Sequence, residues 1–321
     1  FLFYKIIKNY FIALISNNFI IPKYFTELFF FLKKNNYTPC HHIFFQTTRN
    51  KQIALANFFA RLDNTLPNIH LRILYTPSFK KKNTGFYYYL NKVKPYLLNK
   101  KIFIYSLTDK NIEIFNNVLN SNIGIYKTNI PWVFYNRIKI NKSITIGYMG
   151  DARESRGFNL LPDLINKLYN KNSNLNFLIQ FAKTSSVSTN ITSDKLFQMA
   201  KKNTNIKILK TYLDYADFRN TLQKIDIMPI LHNNEEIKNG NPSTIYSSIT
   251  HEVPMILPEN LSYMKDILIH KSFEIAINLD DVVNKTLVIA NNYNKYLDAA
   301  KINSKLLFEI FEGDPLKKNI N

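Results

Sequence analysis

Gly147-Tyr148-Met149-Gly150-Asp151-Ala152-Arg153-Glu154-Ser155-Arg156-Gly157-Phe158 closes a run of strand-forming residues, Ser143–Tyr148, and leads into a helical pattern over Asn159–Tyr169. A strand that passes into a helix through such a loop is the repeating unit of a parallel α/β layer. In these layers ligands bind at the carboxyl ends of the strands, so this loop is the first candidate site. Gly150 lets the backbone come close to a ligand, and Arg153 and Arg156 each offer a guanidinium fork to phosphate oxygens. The alternative is a solvated turn in which the same arginines pair with Asp151 and Glu154.

The alternation continues in both directions. Downstream the pattern predicts strands Asn176–Phe181, Ile206–Leu209, Ile225–Ile230 and Met255–Leu257, separated by helices Ser193–Lys202, Tyr215–Lys224 and Ser243–Thr250. Upstream it predicts strands His42–Gln46, His70–Tyr75, Lys101–Tyr105 and Gly124–Lys127, with helices Lys23–Lys34, Lys51–Leu62 and Asn111–Leu119. Around Asn129–Ser143 the period lapses, which places a linker there. The expected organisation is a Rossmann-like domain over residues 1–134, a second over 143–280, and a helical tail over 281–321 that packs back on the first. Because residue 1 is Phe and not Met, the chain reads as a fragment or a processed product, its first domain lacking its first element.

A second candidate loop is Gly240-Asn241-Pro242-Ser243-Thr244. Asn241 reads as an N-cap and Pro242 as the first helical residue, leaving the N–H groups and hydroxyls of Ser243 and Thr244 to meet an anion. The alternative is an ordinary capped helix.

Taken together, Gly147–Phe158, the strand Asp226-Ile227-Met228-Pro229-Ile230, and Ser243–Pro258 resemble in order and spacing the donor-binding half of retaining GT-B glycosyltransferases similar to family 4. The resemblance covers about Ser143 to Asp266. It implies an α/β GT-B fold, two Rossmann-like doubly wound parallel-sheet domains facing a cleft. It also implies transfer of a sugar from a UDP- or GDP-sugar to a saccharide or lipid-linked acceptor with retention of configuration, as in cell-surface polysaccharide biosynthesis. Gly150, Arg153, Arg156, Ser243 and Thr244 would hold the donor diphosphate. The family's paired glutamates fall at Asn239 and Ser247, so Ser247, with Glu235 and Glu236 nearby, are the candidate ribose or sugar contacts, and the catalytic residue is not identified. Gln46, Thr47 and Thr48 are candidates on the acceptor side. No metal or cofactor is implied, since no DxD-like carboxylate pair ends a strand and the arginines supply the charge. The rival is a degenerate, non-catalytic GT-B domain that acts as a binding or assembly partner.

Composition sets the outer bounds. With 46% apolar residues in 321 the chain builds real cores, and its single Cys40 excludes a disulfide scaffold and fits a reducing compartment. No apolar run reaches the roughly 18–20 residues of a membrane span. The net charge of +19 arises from lysines scattered among Asn, Ile, Phe and Tyr, a pattern of AT-rich coding that argues against a nucleic-acid partner. The expected location is cytoplasmic, with peripheral contact to an anionic inner membrane surface through the basic-aromatic run Lys80–Tyr96, otherwise a solvated loop before a core helix.

Overall fold

The computed structural model describes residues 30–32, 34–35, 41–45, 48, 50–62, 65–73, 85–107, 109–128, 134–137, 143–182, 187–233, 242–259, 268–315 and 319. The chain forms two compact units, Phe1–Ile130 with Gly313–Asn321, and Pro131–Glu312.

In the first unit four strands, β1 (His42–Phe45), β2 (Asn68–Ile73), β3 (Ile102–Ser106) and β4 (Ile125–Lys127), pair in parallel in sequence order. Helices α1 (Asn50–Leu62), α2 (Gly85–Leu98) and α3 (Asp109–Leu119) connect them. Alternate residues of a strand point to opposite faces, and the two faces differ in chemistry. Ile69, Leu71, Ile73, Ile102 and Ile104 build the core with Ile53, Phe59, Leu90 and Phe115 from the helices. The other set is polar and aromatic: His42, His70, Arg72 and Tyr105, in a register that places His70 beside Phe44 and Phe103. His42 Nδ1 meets His70 Nε2 at 2.7 Å, His70 Nδ1 meets the Tyr105 hydroxyl at 2.9 Å, and the Asn319 amide donates to that hydroxyl at 3.1 Å. His42, His70 and Tyr105 are tolerated in the interior because they bond to one another, while the Arg72 guanidinium lies 5.5 Å from the centre of the Phe44 ring.

In the second unit β5 (Thr145–Asp151), β6 (Asn176–Ala182) and β7 (Ile206–Leu209) form one parallel sheet, and β8 (Met228–Pro229), β9 (Met255–Pro258) and β10 (Phe273–Ala276) another. A parallel bridge, Ile146 to Ile227, joins β5 to β8, with the Gly147 N–H donating to the Ile227 carbonyl at 2.9 Å. The spatial order is therefore β7-β6-β5-β8-β9-β10, the doubly wound order whose reversal point lies between β5 and β8. The connecting helices are α4 (Leu161–Lys171), α5 (Val187–Lys202), α6 (Tyr215–Leu222) and α7 (Ser243–Thr250), followed by α8 (Leu279–Asn291) and α9 (Tyr293–Glu312). Ile146, Phe158, Leu164, Leu168, Phe177 and Ile179 anchor the core.

Several elements differ from their sequence expectation. Two 3-10 turns, Glu154–Arg156 and Phe158–Leu160, precede α4, so the helix starts at Leu161 rather than Asn159. Helix α5 begins at Val187, six residues before Ser193, because Thr189, Thr192 and Ser193 are buried and packing overrides the poor helix propensity of β-branched residues. Strand β10 has no clear apolar alternation in the sequence: Glu274 points inward, accepts from the Tyr296 hydroxyl and pairs with Lys271 at 3.0 Å. Gly85–Leu98 is itself a core helix with Phe86, Leu90, Val93 and Leu97 buried, not a loop ahead of one. Of the helix expected over Lys23–Lys34, residues 30–32 and 34 are helical and the rest lie outside the described residues.

Two buried histidines predict how stability depends on pH. Burial lowers the pKa of His70 to about 4, helped by the neighbouring His42. Burial also lowers His251 to about 4, against an opposing bond from its Nδ1–H to the Ser247 carbonyl at 2.9 Å. In the unfolded chain both titrate near 6.5, so between pH 6.5 and 4 the unfolded state binds more protons. Stability is then complete above pH 6.5 and falls toward pH 4, by about 3 kcal/mol for each histidine at 1.36 kcal/mol per pKa unit. Urea unfolding at steps from pH 7 to 4 should show this fall, and His251→Gln should flatten it in the second unit. A flat profile in the parent chain would contradict the assignment.

Candidate functional site

The next-to-last residue of β5 is Gly150, whose φ of +145° is one that side chains rarely adopt and whose missing Cβ would stand 3.4 Å from Arg156 Nη1. Its N–H donates to Gln180 Oε1 at 3.2 Å, and the Gln180 amide in turn donates to the Thr211 carbonyl at 2.7 Å, so β6 holds the turn in place. Asp151 follows and gathers both arginines: Arg153 Nη2 lies 2.6 Å and Arg156 Nη1 3.5 Å from its Oδ2. The pairing with Asp151 anticipated for a solvated turn is thus present. It does not exhaust the arginines, because the Arg156 side chain is only 29% exposed and its Nε is buried with no hydrogen-bond partner.

The chain then turns through Gly157, φ +73°, against the loop that follows β8. A Cβ here would meet the Leu231 carbonyl oxygen at 2.3 Å, so only glycine allows the two loops to touch. That contact brings Arg156 beside the β8 end. Arg156, Tyr148, Met228, Leu231, His232 and Thr244 line one small pocket at the reversal point of the sheet. The Thr244 hydroxyl is also buried without a hydrogen-bond partner. Buried donors are almost always satisfied, so two orphans in one pocket mark a place where an acceptor is missing. On the far side of Gly157 opens a cavity of about 640 Å³, lined by Leu231, His232, Asn233, Ala276 and Asn278.

Helix α7 presents its first turn to this pocket. Its N-cap is Pro242, without a side-chain cap, and Ser243 is the first helical residue; Asn241, expected as the cap, lies outside the described residues. Ser243 is exposed and Thr244 half-buried. Beyond them the helix is interior. Ser247, expected as a ribose or sugar contact, is 2% exposed, and its hydroxyl donates to the Ser243 carbonyl at 3.0 Å. The reason is that the helix is interior on every side, with all six residues from Ile245 to Thr250 buried, so the Ser247 hydroxyl bonds back to its own preceding turn. Glu235 and Glu236, the other candidate sugar contacts, lie outside the described residues.

In the first unit Thr48 is fully buried, its N–H donating to the Arg72 carbonyl at 2.9 Å and its hydroxyl to the Phe45 carbonyl at 3.3 Å, so it closes a turn rather than offering a free donor. Gln46 and Thr47 lie outside the described residues. Among the described residues no group of three or more His, Cys, Asp or Glu side chains is placed to hold a metal ion, and no helix is long and apolar enough to cross a membrane.

Asp226 stands out in the sequence only as part of its strand, yet its carboxylate is a hub. It is fully buried, pairs with Arg137 at 2.9 Å, and accepts from the Thr145 N–H at 2.9 Å and the Tyr293 hydroxyl at 3.0 Å. This fastener ties the starts of β5 and β8, which sets the strand pair whose opposite ends carry the pocket.

No protein-family model and no curated protein matches the sequence. Solved structures do match the fold. The UDP-forming α,α-trehalose-phosphate synthase of Burkholderia xenovorans is similar with a TM-score of 0.62 at 9% identity, over 90% of this chain and 73% of that one. HepE of Anabaena, solved with UDP, is similar with a TM-score of 0.60 at 10% identity, over 87% and 76%. The sucrose-phosphate synthase of Thermosynechococcus elongatus is similar with a TM-score of 0.58 at 10% identity, over 92% and 76%. The fold is α/β with parallel sheets, of the GT-B glycosyltransferase type.

Proposed function

We propose that the chain is a glycosyltransferase whose second unit binds a nucleotide-diphosphate sugar, UDP- or GDP-linked, and delivers the sugar to a saccharide or lipid-linked acceptor. The observation that carries this reading is the pocket at the β5–β8 reversal point, where Arg156 Nε and the Thr244 hydroxyl are buried donors without acceptors. A diphosphate supplies acceptors of the right charge and number. Arg153 and Arg156 would grip its oxygens, the backbone near Gly150 would approach it, and the N–H groups of Ser243 and Thr244 would add the positive end of α7. The adjoining cavity lies within the range of about 300–1,000 Å³ typical of small-molecule sites and gives the rest of the donor room.

In the reaction the bond between the anomeric carbon and the terminal phosphate oxygen breaks with its electron pair left on the diphosphate, the acceptor hydroxyl oxygen bonds to the anomeric carbon, and the hydroxyl proton passes to the freed phosphate oxygen. Two guanidiniums and a helix start stabilise that growing charge without a metal ion. The neighbours support the donor class: one is solved with UDP, another is described as UDP-forming, and a trehalose-6-phosphate synthase among them is described as transferring with retention. Retention, a role in surface polysaccharide synthesis and a cytoplasmic site of action belong to the same proposal, as does acceptor binding by the first unit.

The test is calorimetric titration with UDP and GDP in the presence of a chelator. Arg153→Ala and Arg156→Ala should each weaken binding by about 1.5–3 kcal/mol, the range for hydrogen bonds to charged groups. Arg156→Ala should have the larger effect, because its side chain is 29% exposed against 52% for Arg153. If both variants bind as the parent does, the diphosphate site is elsewhere.

A further inference from the structure

Two loops touch at the reversal point of the second unit's sheet, and the contacts pair their residues one for one. Ser155 and Gly157 stand on either side of Arg156, and Leu231 and Asn233 on either side of His232. The Asn233 N–H donates to the Ser155 carbonyl at 2.8 Å, and Gly157 lies so close to Leu231 that a Cβ on it would stand 2.3 Å from the Leu231 carbonyl oxygen. The neighbours of Arg156 are thus fastened to the neighbours of His232, and the two side chains line one pocket together. The chain ahead of His232 is held as well, by the Ile230 N–H donating to the Ile256 carbonyl at 2.8 Å.

His232 differs from Arg156 in where else it reaches. It also lines the cavity of about 640 Å³ on the far side of Gly157. Among the described residues only Ile230, Leu231 and His232 line both spaces, so His232 is the polar side chain at their junction. The chemistry of the cavity suits a sugar better than a base. Asn159, Asn233 and Asn278 line it, and a side-chain amide offers both a donor and an acceptor to hydroxyl groups. Among its described lining residues, no aromatic ring besides His232 is present for a base to stack on.

We propose that His232 is a further catalytic residue of the transfer, donating a ring N–H to the donor's terminal phosphate at the oxygen that leaves the anomeric carbon. The inference rests on the donor site at Arg156 and Thr244 and assigns the group that stands between the diphosphate and the sugar. As the bond breaks, charge collects on that oxygen, and a donor already locked in place strengthens its bond without having to move. His232 keeps its own proton throughout, since the proton of the acceptor hydroxyl is the one that passes to the phosphate. Arg156, fastened beside it, meets the same diphosphate as a fixed positive charge.

The experiment compares UDP with UMP, and GDP with GMP, by calorimetric titration of the full chain and its His232→Ala and His232→Gln variants. Within each pair the terminal phosphate is the whole difference. His232→Ala should lose about ten- to a hundredfold in affinity for the diphosphate and stay within about twofold of the parent for the monophosphate. His232→Gln, which keeps an N–H donor, should recover most of that loss. On UDP-glucose or GDP-mannose, whichever the parent hydrolyses, His232→Ala should lower kcat about a hundredfold to a thousandfold. Equal losses for diphosphate and monophosphate would put His232 on the nucleoside side, and parental affinity for both, or a parental kcat, would take it off the leaving oxygen. Each of these overturns the proposal and leaves Arg156 at the diphosphate. A parent chain that binds none of the four nucleotides overturns the donor site itself, and this role of His232 with it.

Discussion

Replacing Asp226 by alanine should cost the second unit about 3–5 kcal/mol of stability, the range seen when one partner of a buried ion pair is removed. The carboxylate is fully buried, as is nearly all of the Arg137 side chain it pairs with at 2.9 Å. Without it the guanidinium stays inside with only carbonyl acceptors, from Gln223 and Ile225, and two further donors, the Thr145 N–H and the Tyr293 hydroxyl, lose their acceptor. The penalty comes from stranding those groups rather than from the worth of the pair itself. Replacing both partners, Asp226→Leu with Arg137→Met, should therefore recover part of the loss. Urea unfolding of the single and double variants reads this directly. A single variant within about 1 kcal/mol of the parent would mean that the fastener is not what holds β5 beside β8.

The second large effect is at Ser247. Aligned with the family's second glutamate, it would accept Ser247→Glu readily and bind nucleotide more tightly. The structure predicts the reverse. The side chain is 2% exposed and faces its own preceding turn in a helix buried from Ile245 to Thr250. A carboxylate there adds volume to a packed core and a charge with no partner, a combination that should destabilise by about 3 kcal/mol or more. Ser247→Ala, which removes only a hydroxyl bonded within the helix, should stay within about 1 kcal/mol of the parent. Thermal unfolding of the two variants separates the cases. A Ser247→Glu chain with parental stability would show that the residue reaches solvent.

How much was legible in the sequence depended on whether a segment's signal was local. The strands from His42 to Met255 and most helices announced themselves by apolar period, since each buries one clear face. The loop that carries Gly150, Arg153 and Arg156 was legible as a strand-to-helix turn because the apolar alternation of Ser143–Tyr148 stops there and a helical period begins beyond Gly157. What escaped depended on contacts far apart in the chain. Glu274 in β10 broke the period because its partners, Tyr296 and Lys285, come from α9 and α8. Asp226 read as one strand residue because Arg137 and Tyr293 are 89 and 67 positions away. The burial of Ser247 escaped because alignment to a motif fixes position along a helix but not how much of that helix the rest of the fold covers. Thr48 failed likewise: a threonine after a strand reads as a cleft donor until its hydroxyl is seen bonded to the Phe45 carbonyl.

If the second unit is the donor site, a nucleoside diphosphate binds it through Arg156. The measurement is a thermal-shift titration of the parent and Arg156→Ala chains with UDP, GDP and their sugars in chelator. Stabilisation grows as RT ln(1 + [L]/Kd), so even a weak ligand raises the melting temperature once its concentration passes its dissociation constant, and reaches about 2.7 kcal/mol at a hundredfold excess. The predicted result is a concentration-dependent rise with at least one of these nucleotides in the parent, and a curve displaced at least about tenfold to higher concentration in Arg156→Ala. No rise with any of them, or the same curve in both chains, would contradict it.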